Sequence, residues 1–507
     1  MQGSYRRLAE SFRHQYNWNK PRTRCTFAFF TCLLVVGAYF SNSILDISVS
    51  VNKELPTRVI EIPLDCSFTN QTKTCPGNYY PSALPTIRPR SSSIPPSCPH
   101  YFHWINEDLR PWKDTGITEE MVVRANRTAN FRLVILNGRA YLETYVKSFQ
   151  TRDVFTLWGI LQLLRRYPGK VPDLDLMFDC VDWPVIKSSD YQGPNALKPP
   201  PLFRYCGNNQ TFDIAFPDWS FWGWPETNIK PWEQLMGDLK EANKNLRWMD
   251  REPYAFWKGN PKVAEKRVDL LKCNVSEKQD WNARVYKQDW DKEIEEGFKE
   301  SDLAKQCTHR YKIYIEGSAW SVSEKYILAC DSVTLLVTPD YYDFFTRSLV
   351  PMQHYWPIKA EDKCRSIKFA VDWGNNHKQK AQELGTAASS FVQNDLNMDF
   401  VYDYMFHLLS EYSKLLTYNP KIPPKAVELC SEAMACHAQG LEKTFMLDSM
   451  VKSPKESSPC LMPPPLEPSA LKQFIERKQS SIRQVELGEQ KYWDWEEFQD
   501  QQRENVL

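Results

Sequence analysis

An uncharged segment near the N-terminus constrains this chain most, because it decides on which side of a membrane the rest of the protein folds. Residues 26–45 contain no Asp, Glu, Lys or Arg, and a helix of that length spans the roughly 30 Å hydrocarbon core of a bilayer. Six basic residues and one acidic residue precede it, and a basic flank marks the cytosolic side. No small-residue cleavage site follows, which disfavours the alternative of a cleaved signal peptide. We therefore predict a cytosolic tail (1–24) and an uncleaved transmembrane signal anchor (25–45), with a single pass of type II.

Two further features favour a lumenal body. Twelve of the fourteen cysteines follow the anchor, an even number, as disulfides require, and Cys66 and Cys75 are placed to close a small loop. The C-terminus carries no retrieval signal, which favours the Golgi membrane over the endoplasmic reticulum. Asn-x-Ser/Thr triplets, the acceptors of N-glycosylation, occur at Asn70, Asn126, Asn209 and Asn274.

The composition of the predicted lumenal part changes along the chain and suggests where its segments begin and end. Seven prolines between positions 76 and 99 predict an extended stem over residues 46–97 that cannot form a core. The chain as a whole has 42% hydrophobic residues, which predicts a folded body beyond the stem. We divide this body into an acceptor-side lobe (98–245) and a nucleotide-sugar lobe (246–425). The Pro-interrupted, charged extension (426–507) is expected to be only partly ordered. Equal numbers of basic and acidic residues, 63 each, disfavour a nucleic-acid partner.

Alternating helical and strand-like segments predict an α/β fold. Thr118 is placed to cap a helix that runs to about Ala129, and Asn137-Gly138 predicts a hairpin between strands 131–136 and 139–142. Residues 152–167 have helical periodicity, and a buried strand follows over 173–181. The pattern returns with strands at 311–315 and 333–337 around a turn-and-helix segment, 317–325, before helices from about 378 to 417. Two such halves imply two lobes with a cleft, and ligands of such folds bind beyond the carboxyl ends of the strands.

Several residues are candidates for chemistry. Asp182, at the end of the 173–181 strand, is either a general base or a turn-capping aspartate. Asp173 and Asp175 form an Asp-x-Asp pair at the start of that strand; we interpret them as solvated strand-edge charge and predict no metal. The turn at 317–325 is either a diphosphate site or an ordinary structural crossover.

Two other segments stand out by composition. Residues 257–267 combine Gly259 with Lys and Arg side chains, which suits phosphate binding, although an exposed basic helix start is the alternative. Residues 216–225 are either an aromatic acceptor platform or a loop that lines the core. With the neighbouring Trp183, that platform comprises Trp183, Trp219, Phe221, Trp222 and Trp224.

Taken together, these segments resemble the Rumi-type protein O-glucosyltransferases, a family that includes the fungal capsule-associated xylosyltransferases. The resemblance rests on collinear motifs at 173–184, 216–225, 257–267 and 307–330, with additions at 354–358 and 409–414. It covers about residues 98–420. The long stem and the sequences of the motifs resemble those of the plant branch of the family.

The resemblance implies a GT-B-like fold of two Rossmann-like lobes and an inverting, metal-independent transfer from a UDP-sugar. The family's catalytic base falls on Asp182, its disulfide around the second turn falls on Cys307 and Cys330, and no cofactor is expected. UDP-glucose or UDP-xylose would be the donor, and a glycoprotein or a polysaccharide the acceptor. The implied UDP-sugar contacts are Gly259, Asn260, Arg267, Gly317, Ser318, Ala319, Trp320, Ser321, Val322, Ser323 and Lys325.

One departure bears on activity. Animal members end the second turn with an Arg that contacts the diphosphate, whereas this chain has Ser323; Lys325 is the nearest cation that would substitute. A catalytically silent Golgi sugar-binding or scaffold protein is therefore the alternative to a transferase acting on proteins or on wall polysaccharide. A hydrolase with paired carboxylates is disfavoured, because Asp179 and Asp182 would point to opposite faces of an extended run.

Overall fold

The strands form two sheets, in the part of the chain that the computed structural model describes: residues 61–67, 75, 95–193 and 196–504. In chain order the strands are β1 (Phe131–Leu136), β2 (Arg139–Thr144), β3 (Leu174–Phe178), β4 (Phe203–Arg204), β5 (Ile214–Ala215), β6 (Glu252–Gly259), β7 (Ala283–Lys287), β8 (His309–Tyr314), β9 (Val333–Val337), β10 (Trp356–Ile358) and β11 (Val427–Leu429). The first sheet is mixed, in the order β11-β2-β1-β3-β4-β5. The second, β10-β9-β8-β6-β7, is parallel throughout.

Helices pack around both sheets and make the fold α/β. They are α1 (His103–Asp108), α2 (Glu119–Arg124), α3 (Arg152–Arg166), α4 (Trp232–Asn245), α5 (Glu265–Leu270), α6 (Trp290–Glu295), α7 (Glu324–Leu328), α8 (Lys363–Asn376), α9 (Lys378–Asp395), α10 (Met398–Leu415), α11 (Ser431–Ala435), α12 (Gly440–Asp448) and α13 (Pro468–Glu504). Within the described residues, no helix combines the length and the apolar character that crossing a bilayer requires. The predicted tail, anchor and sequon Asn70 lie outside those residues.

The predicted elements of the first half are present. Asn137 and Gly138 adopt positive φ values of 50° and 75° and join β1 to β2 in an antiparallel hairpin. Thr118 caps α2 by accepting from the amide of Met121, but this helix ends at Arg124 and a short 3₁₀ turn follows instead of helix to Ala129. The buried α3 then crosses to β3, as the periodicity predicts.

The second half follows the predicted order with shorter elements. Strand β8 starts two residues before the predicted 311, and β9 has the predicted bounds. The helix after the second turn, α7, has only five residues. The helices predicted from about 378 to 417 are α9 and α10, and Asn397 separates them and caps α10 through its side chain.

Disulfides correct the predicted organisation of the two ends. Cys66 and Cys75 do not bond to each other; they bond to Cys436 and Cys430. Ile62 is buried and its amide donates to the carbonyl of Lys452, so part of the predicted stem packs on the body. Cys180 and Cys206 are free and buried. The other bridges are Cys98–Cys460, Cys273–Cys364 and Cys307–Cys330.

The C-terminal extension is more regular than predicted. Its last element, α13, runs for 37 residues. Tyr492 of this helix contacts the ring of Phe369 on α8 and donates a hydrogen bond to Asp372. Val485 joins the core of the second sheet. The expectation of partial order fails because these contacts with α8 hold a charged helix whose own sequence gives little sign of a buried face.

Candidate functional site

A cavity of about 240 Å³ lies among the loops that follow β3 and β5 of the first sheet and β6, β7 and β8 of the second. These are carboxyl ends of strands, where α/β folds bind ligands. Of the predicted site residues, those lining the cavity are Asp182, Trp219, Trp224, Gly259, Asn260, Arg267, Gly317, Ser318, Trp320, Ser321, Val322 and Ser323. Both predicted halves therefore contribute to one site.

Asp182 lies at the first-sheet end of the cavity. Its side chain is 25% exposed, and Oδ1 accepts a hydrogen bond from Nη1 of Arg152 at 2.5 Å. Among the described residues, no protein donor contacts Oδ2 of this carboxylate. The carboxylate makes no backbone capping contact there either, so the geometry is not that of a turn-capping aspartate. It leaves one oxygen available to a hydroxyl in the cavity.

Arg267 holds the wall formed by the second sheet. From α5, its Nε donates to the carbonyl of Glu316 at 2.9 Å and Nη2 to that of Ile315 at 3.1 Å. Nη1 donates to the carbonyl of Asn260 at 3.3 Å, and Nη2 also reaches Oγ of Ser321. Burial lowers the pKa of Arg267 to about 10, so the guanidinium stays charged at neutral pH. Arg267 thus links the β6 end to the turn after β8 and places a positive charge between them.

The turn after β8 is held by short polar contacts. The amide of Ser321 donates to Oη of Tyr314 at 3.1 Å, and the hydroxyls of Ser321 and Ser323 lie 2.9 Å apart. Ser323 lines the cavity, so the position at which the family resemblance implies an Arg in animal members faces the ligand space. Ala319 is fully buried and points away from that space.

Lys325 does not reach the cavity. It is 2% exposed, and its Nζ donates to Oδ2 of Asp218 at 3.0 Å, to Oγ of Ser220 at 2.8 Å and to the carbonyl of Val322. A buried amine already paired with a carboxylate is not available to a diphosphate. The expectation that Lys325 replaces the missing Arg is therefore corrected: this lysine ties the second turn to the aromatic segment.

The aromatic segment divides between core and cavity. Phe221 and Trp222 are fully buried, and Nε1 of Trp222 donates to Oη of Tyr402 at 2.9 Å. These two residues belong to the core, which corrects their assignment to an acceptor platform. Trp219 and Trp224 line the cavity, whereas Trp183, 50% exposed, lies outside its lining. The two core residues are consecutive and lie at the end of a 3₁₀ turn, Trp219–Phe221.

Four basic side chains line the cavity, and of these only Arg267 was among the predicted UDP-sugar contacts, although Lys258 lies within the predicted 257–267 segment. The others are Arg152, Lys258 and Lys312; Asp182 is the one carboxylate among the lining residues. This excess of positive charge suits an anionic ligand. Arg152 was missed because nothing local marks it, whereas a lysine inside the apolar strand 311–315 was a visible signal.

The Asp-x-Asp pair is engaged in structural contacts. Asp175 is fully buried; Arg132 donates to both of its oxygens, and Oη of Tyr418 donates to Oδ2 at 2.8 Å. Its assignment as solvated charge was wrong, because β3 lies in the middle of the first sheet. Asp173 is exposed and accepts from the amide of Asn137 at 2.7 Å.

The predicted glycosylation positions within the described residues lie at or near the surface. Asn126 and Asn209 are exposed, and Asn274 is half-buried with Oδ1 accepting from the amide of Val285 at 3.0 Å. Glycosylation at these positions stays a prediction.

Comparisons with known proteins identify the family of the chain. The profile of glycosyl transferase family 90 matches residues 93–489. Human protein O-glucosyltransferase 1 is 26% identical over 355 residues, covering 66% of this chain and 85% of that protein. The O-glucosyltransferase rumi of Drosophila melanogaster is 24% identical over 354 residues, covering 66% of this chain and 82% of that protein. A rumi homolog of Aedes aegypti is 26% identical over 344 residues, with the same shares. A match over most of the chain establishes that it belongs to glycosyl transferase family 90 and is a glycosyltransferase.

Proposed function

We propose that this chain is a lumenal, inverting, metal-independent transferase that moves glucose or xylose from a UDP-sugar to an acceptor hydroxyl. The observation that carries the proposal is the shared cavity, in which Asp182 and a set of cations face the same space. The relatives named as protein O-glucosyltransferases support a Ser or Thr of a protein as the acceptor. We further propose that the two sheets form the two Rossmann-like lobes of a GT-B-like fold.

The proposed mechanism uses the groups in their observed places. Oδ2 of Asp182 takes the proton of the acceptor hydroxyl, and the resulting oxygen attacks the anomeric carbon from the face opposite UDP. The departing diphosphate lies against the turn at 317–323. There Arg267 offsets the charge that develops on it. No step requires a metal ion or a cofactor.

The cellular setting is also a proposal. The uncharged segment 26–45 with its basic flank supports a single-pass type II anchor in the Golgi membrane. Five disulfide bridges among the described residues support an oxidising compartment. Both features support a lumenal catalytic body.

The test is the replacement Asp182→Asn in the purified lumenal part, assayed with radiolabelled UDP-glucose and UDP-xylose. We expect transfer and slow hydrolysis to fall at least about 100-fold, because the general base is lost, while UDP still raises the melting temperature. Asp173→Asn is the matched control: it removes an exposed aspartate at the other end of β3 and should leave the rate unchanged. Full turnover in Asp182→Asn would refute the assignment of the base.

A catalytically silent sugar-binding protein is the second candidate. The observation in its favour is Ser323, which puts a hydroxyl in the cavity where relatives carry an Arg. The same donor screen separates the two functions. Absence of hydrolysis with every UDP-sugar, together with no thermal shift by UDP, would favour the silent protein. A polysaccharide acceptor instead of a protein would appear as transfer to wall polymers but not to peptides.

A further inference from the structure

Besides Nε2 of Gln288 and the hydroxyl of Tyr326, three buried N–H groups in the cavity have no hydrogen-bond partner among the described residues. They are Nε of Arg152, Nε1 of Trp219 and Nε1 of Trp320, and all three residues line the space that contains Asp182. Their exposed fractions are 9%, 1% and 6%. A buried donor without an acceptor costs free energy, so such groups in a native protein call for a partner.

The three side chains are neighbours. The guanidinium carbon of Arg152 lies 4.5 Å from the ring centroid of Trp219, and the rings of Trp219 and Trp320 are 6.2 Å apart and nearly perpendicular. They come from different parts of the fold: Arg152 begins α3, Trp219 follows β5 and Trp320 follows β8. The unpaired donors therefore meet where the first-sheet loops approach the second-sheet turn, at the end of the cavity where Arg152 binds Asp182.

An unpaired indole alone would carry little weight, because Trp248 and Trp493 lack partners outside this cavity. A comparison of the three tryptophans within the aromatic segment, residues 216–225, is stronger evidence. Trp222 donates to Tyr402 and Trp224 donates to Oε1 of Gln150 at 2.8 Å. Two of the three indole N–H groups in the segment thus have acceptors within the protein. The exception is Trp219, which lies beside a second unpaired indole N–H and an unpaired guanidinium N–H.

We propose that Arg152, Trp219 and Trp320 form the subsite of the transferred sugar and donate hydrogen bonds to its hydroxyl oxygens. This inference rests on the proposed function and adds the residues that recognise the transferred sugar. The anomeric carbon must lie within reach of a hydroxyl held by Asp182, so the sugar ring occupies the end of the cavity that these donors share. Hydroxyl oxygens have lone pairs for N–H donors, whereas an apolar group there would leave all three unpaired.

The subsite gives a rule for donor choice. A sugar that lacks an oxygen read by one of these groups leaves a buried N–H unpaired, and sites built to hydrogen-bond a hydroxyl reject such analogues strongly. Since Arg267 and the second turn hold the nucleotide side of the donor, the penalty falls on the sugar part alone. UDP has no sugar oxygen to accept from the two indole N–H groups, so its affinity should not depend on them.

The test compares the binding of UDP and of UDP-glucose by calorimetry in Trp219→Phe and Trp320→Phe, each combined with Asp182→Asn to prevent turnover. Phe keeps an aromatic ring but removes the N–H. We expect the affinity for UDP-glucose to fall roughly tenfold in each variant, the effect of about one lost hydrogen bond, while that for UDP changes less than about twofold. Trp224→Phe is the control, because it lines the same cavity with an N–H that the protein itself satisfies; its ratio of affinities should match that of the parent.

UDP-deoxyglucoses sharpen the test. For the analogue that lacks the oxygen bound by Trp219 or Trp320, the parent and the Phe variant should bind equally well.

An unchanged ratio of UDP-glucose to UDP affinity in both Phe variants would overturn the subsite. If the intact protein nevertheless transfers sugar, the proposed function stands without the proposed subsite. If the ratio falls but the intact protein transfers nothing, the subsite stands and the transferase proposal fails; no binding of either ligand would overturn both.

Discussion

Arg152 and Asp182 form an ion pair in which the guanidinium occupies one carboxylate oxygen and leaves the other to the cavity. Arg152 is the first residue of α3, and Asp182 comes four residues after the end of β3, so the crossover from helix to strand brings the pair together. Nη1 of Arg152 also donates to the carbonyl of Cys180 at 3.2 Å. The arginine thus holds both the side chain and the backbone of the segment that carries the proposed base.

The first prediction concerns this pair. Arg152→Met should lower the rate of transfer at least about tenfold, because Asp182 then loses the contact that fixes its orientation. Arg152→Lys should recover part of that loss, since an amine can still pair with the carboxylate but cannot also reach Cys180. The measurement is kcat and KM for the UDP-sugar, with thermal unfolding to confirm that each variant is folded. A folded Arg152→Met with the parental kcat would contradict the role given to the pair.

The elements of the site were predictable from the sequence, but their side-chain directions were not. Strand ends placed Asp182 and the turn at Gly317 at carboxyl edges, and the structure brings both to one cavity. The family resemblance offered Lys325, two positions beyond Ser323, as a cation for the diphosphate. The short helix α7 instead turns that side chain inward to Asp218, a contact with a residue more than a hundred positions away that no local pattern reveals.

The second prediction follows from Ser323. Ser323→Arg places a cation on the cavity wall and should tighten UDP binding about tenfold at low salt, because charge-assisted contacts to phosphate are strong. The gain should shrink as ionic strength rises. Calorimetry with UDP measures it, and Ser323→Met, of comparable bulk without the charge, is the control. Equal affinities of the Arg and Met variants would show that this position does not face the diphosphate.

The third prediction uses the buried amine of Lys312. Its Nζ donates to the carbonyl of Gln306 at 3.2 Å but to no carboxylate among the described residues, and burial lowers its pKa from 10.5 to about 7. Between about pH 7 and 10.5 the unfolded chain binds the proton that the folded one has lost, so this group makes stability rise with pH. Lys312→Met should therefore raise the melting temperature, by about 3 °C or more at pH 6, with a smaller gain at pH 9.

Thermal unfolding of both proteins at pH 6, 7.5 and 9 checks this. Lys258→Met is the control, because it removes a cavity lysine that pairs with Glu293 at 3.2 Å and should lower stability. A Lys312→Met protein less stable than the parent at pH 6 would show that the amine has a stronger partner than the carbonyl of Gln306.

Cysteine pairing marks another limit of the sequence. Cys66 and Cys75 are nine positions apart, and proximity suggested a local loop. Each instead bonds to a cysteine more than 350 positions away, because the N-terminal segment lies against α11 and its neighbours. An even count of cysteines also gave no sign of the two free, buried thiols, Cys180 and Cys206, which follow β3 and β4. Pairing depends on the tertiary path of the chain, which composition does not contain.

The fourth prediction concerns the bridge Cys98–Cys460, which joins the start of the body to the segment before α13. The double variant Cys98→Ala/Cys460→Ala should lose roughly 4 kcal/mol of unfolding free energy, because the bridge closes a loop of about 50 positions in an unfolded chain that Cys75–Cys430 already cross-links. Both cysteines are buried and Cys98 also pairs through its amide with the carbonyl of Leu461, so the folded contacts should persist. Urea unfolding measures the loss. Cys273→Ala/Cys364→Ala removes a bridge whose loop Cys307–Cys330 shortens to a similar length and should cost about as much; a large difference between the two variants would show that strain or packing, not chain restriction, sets the value of these bridges.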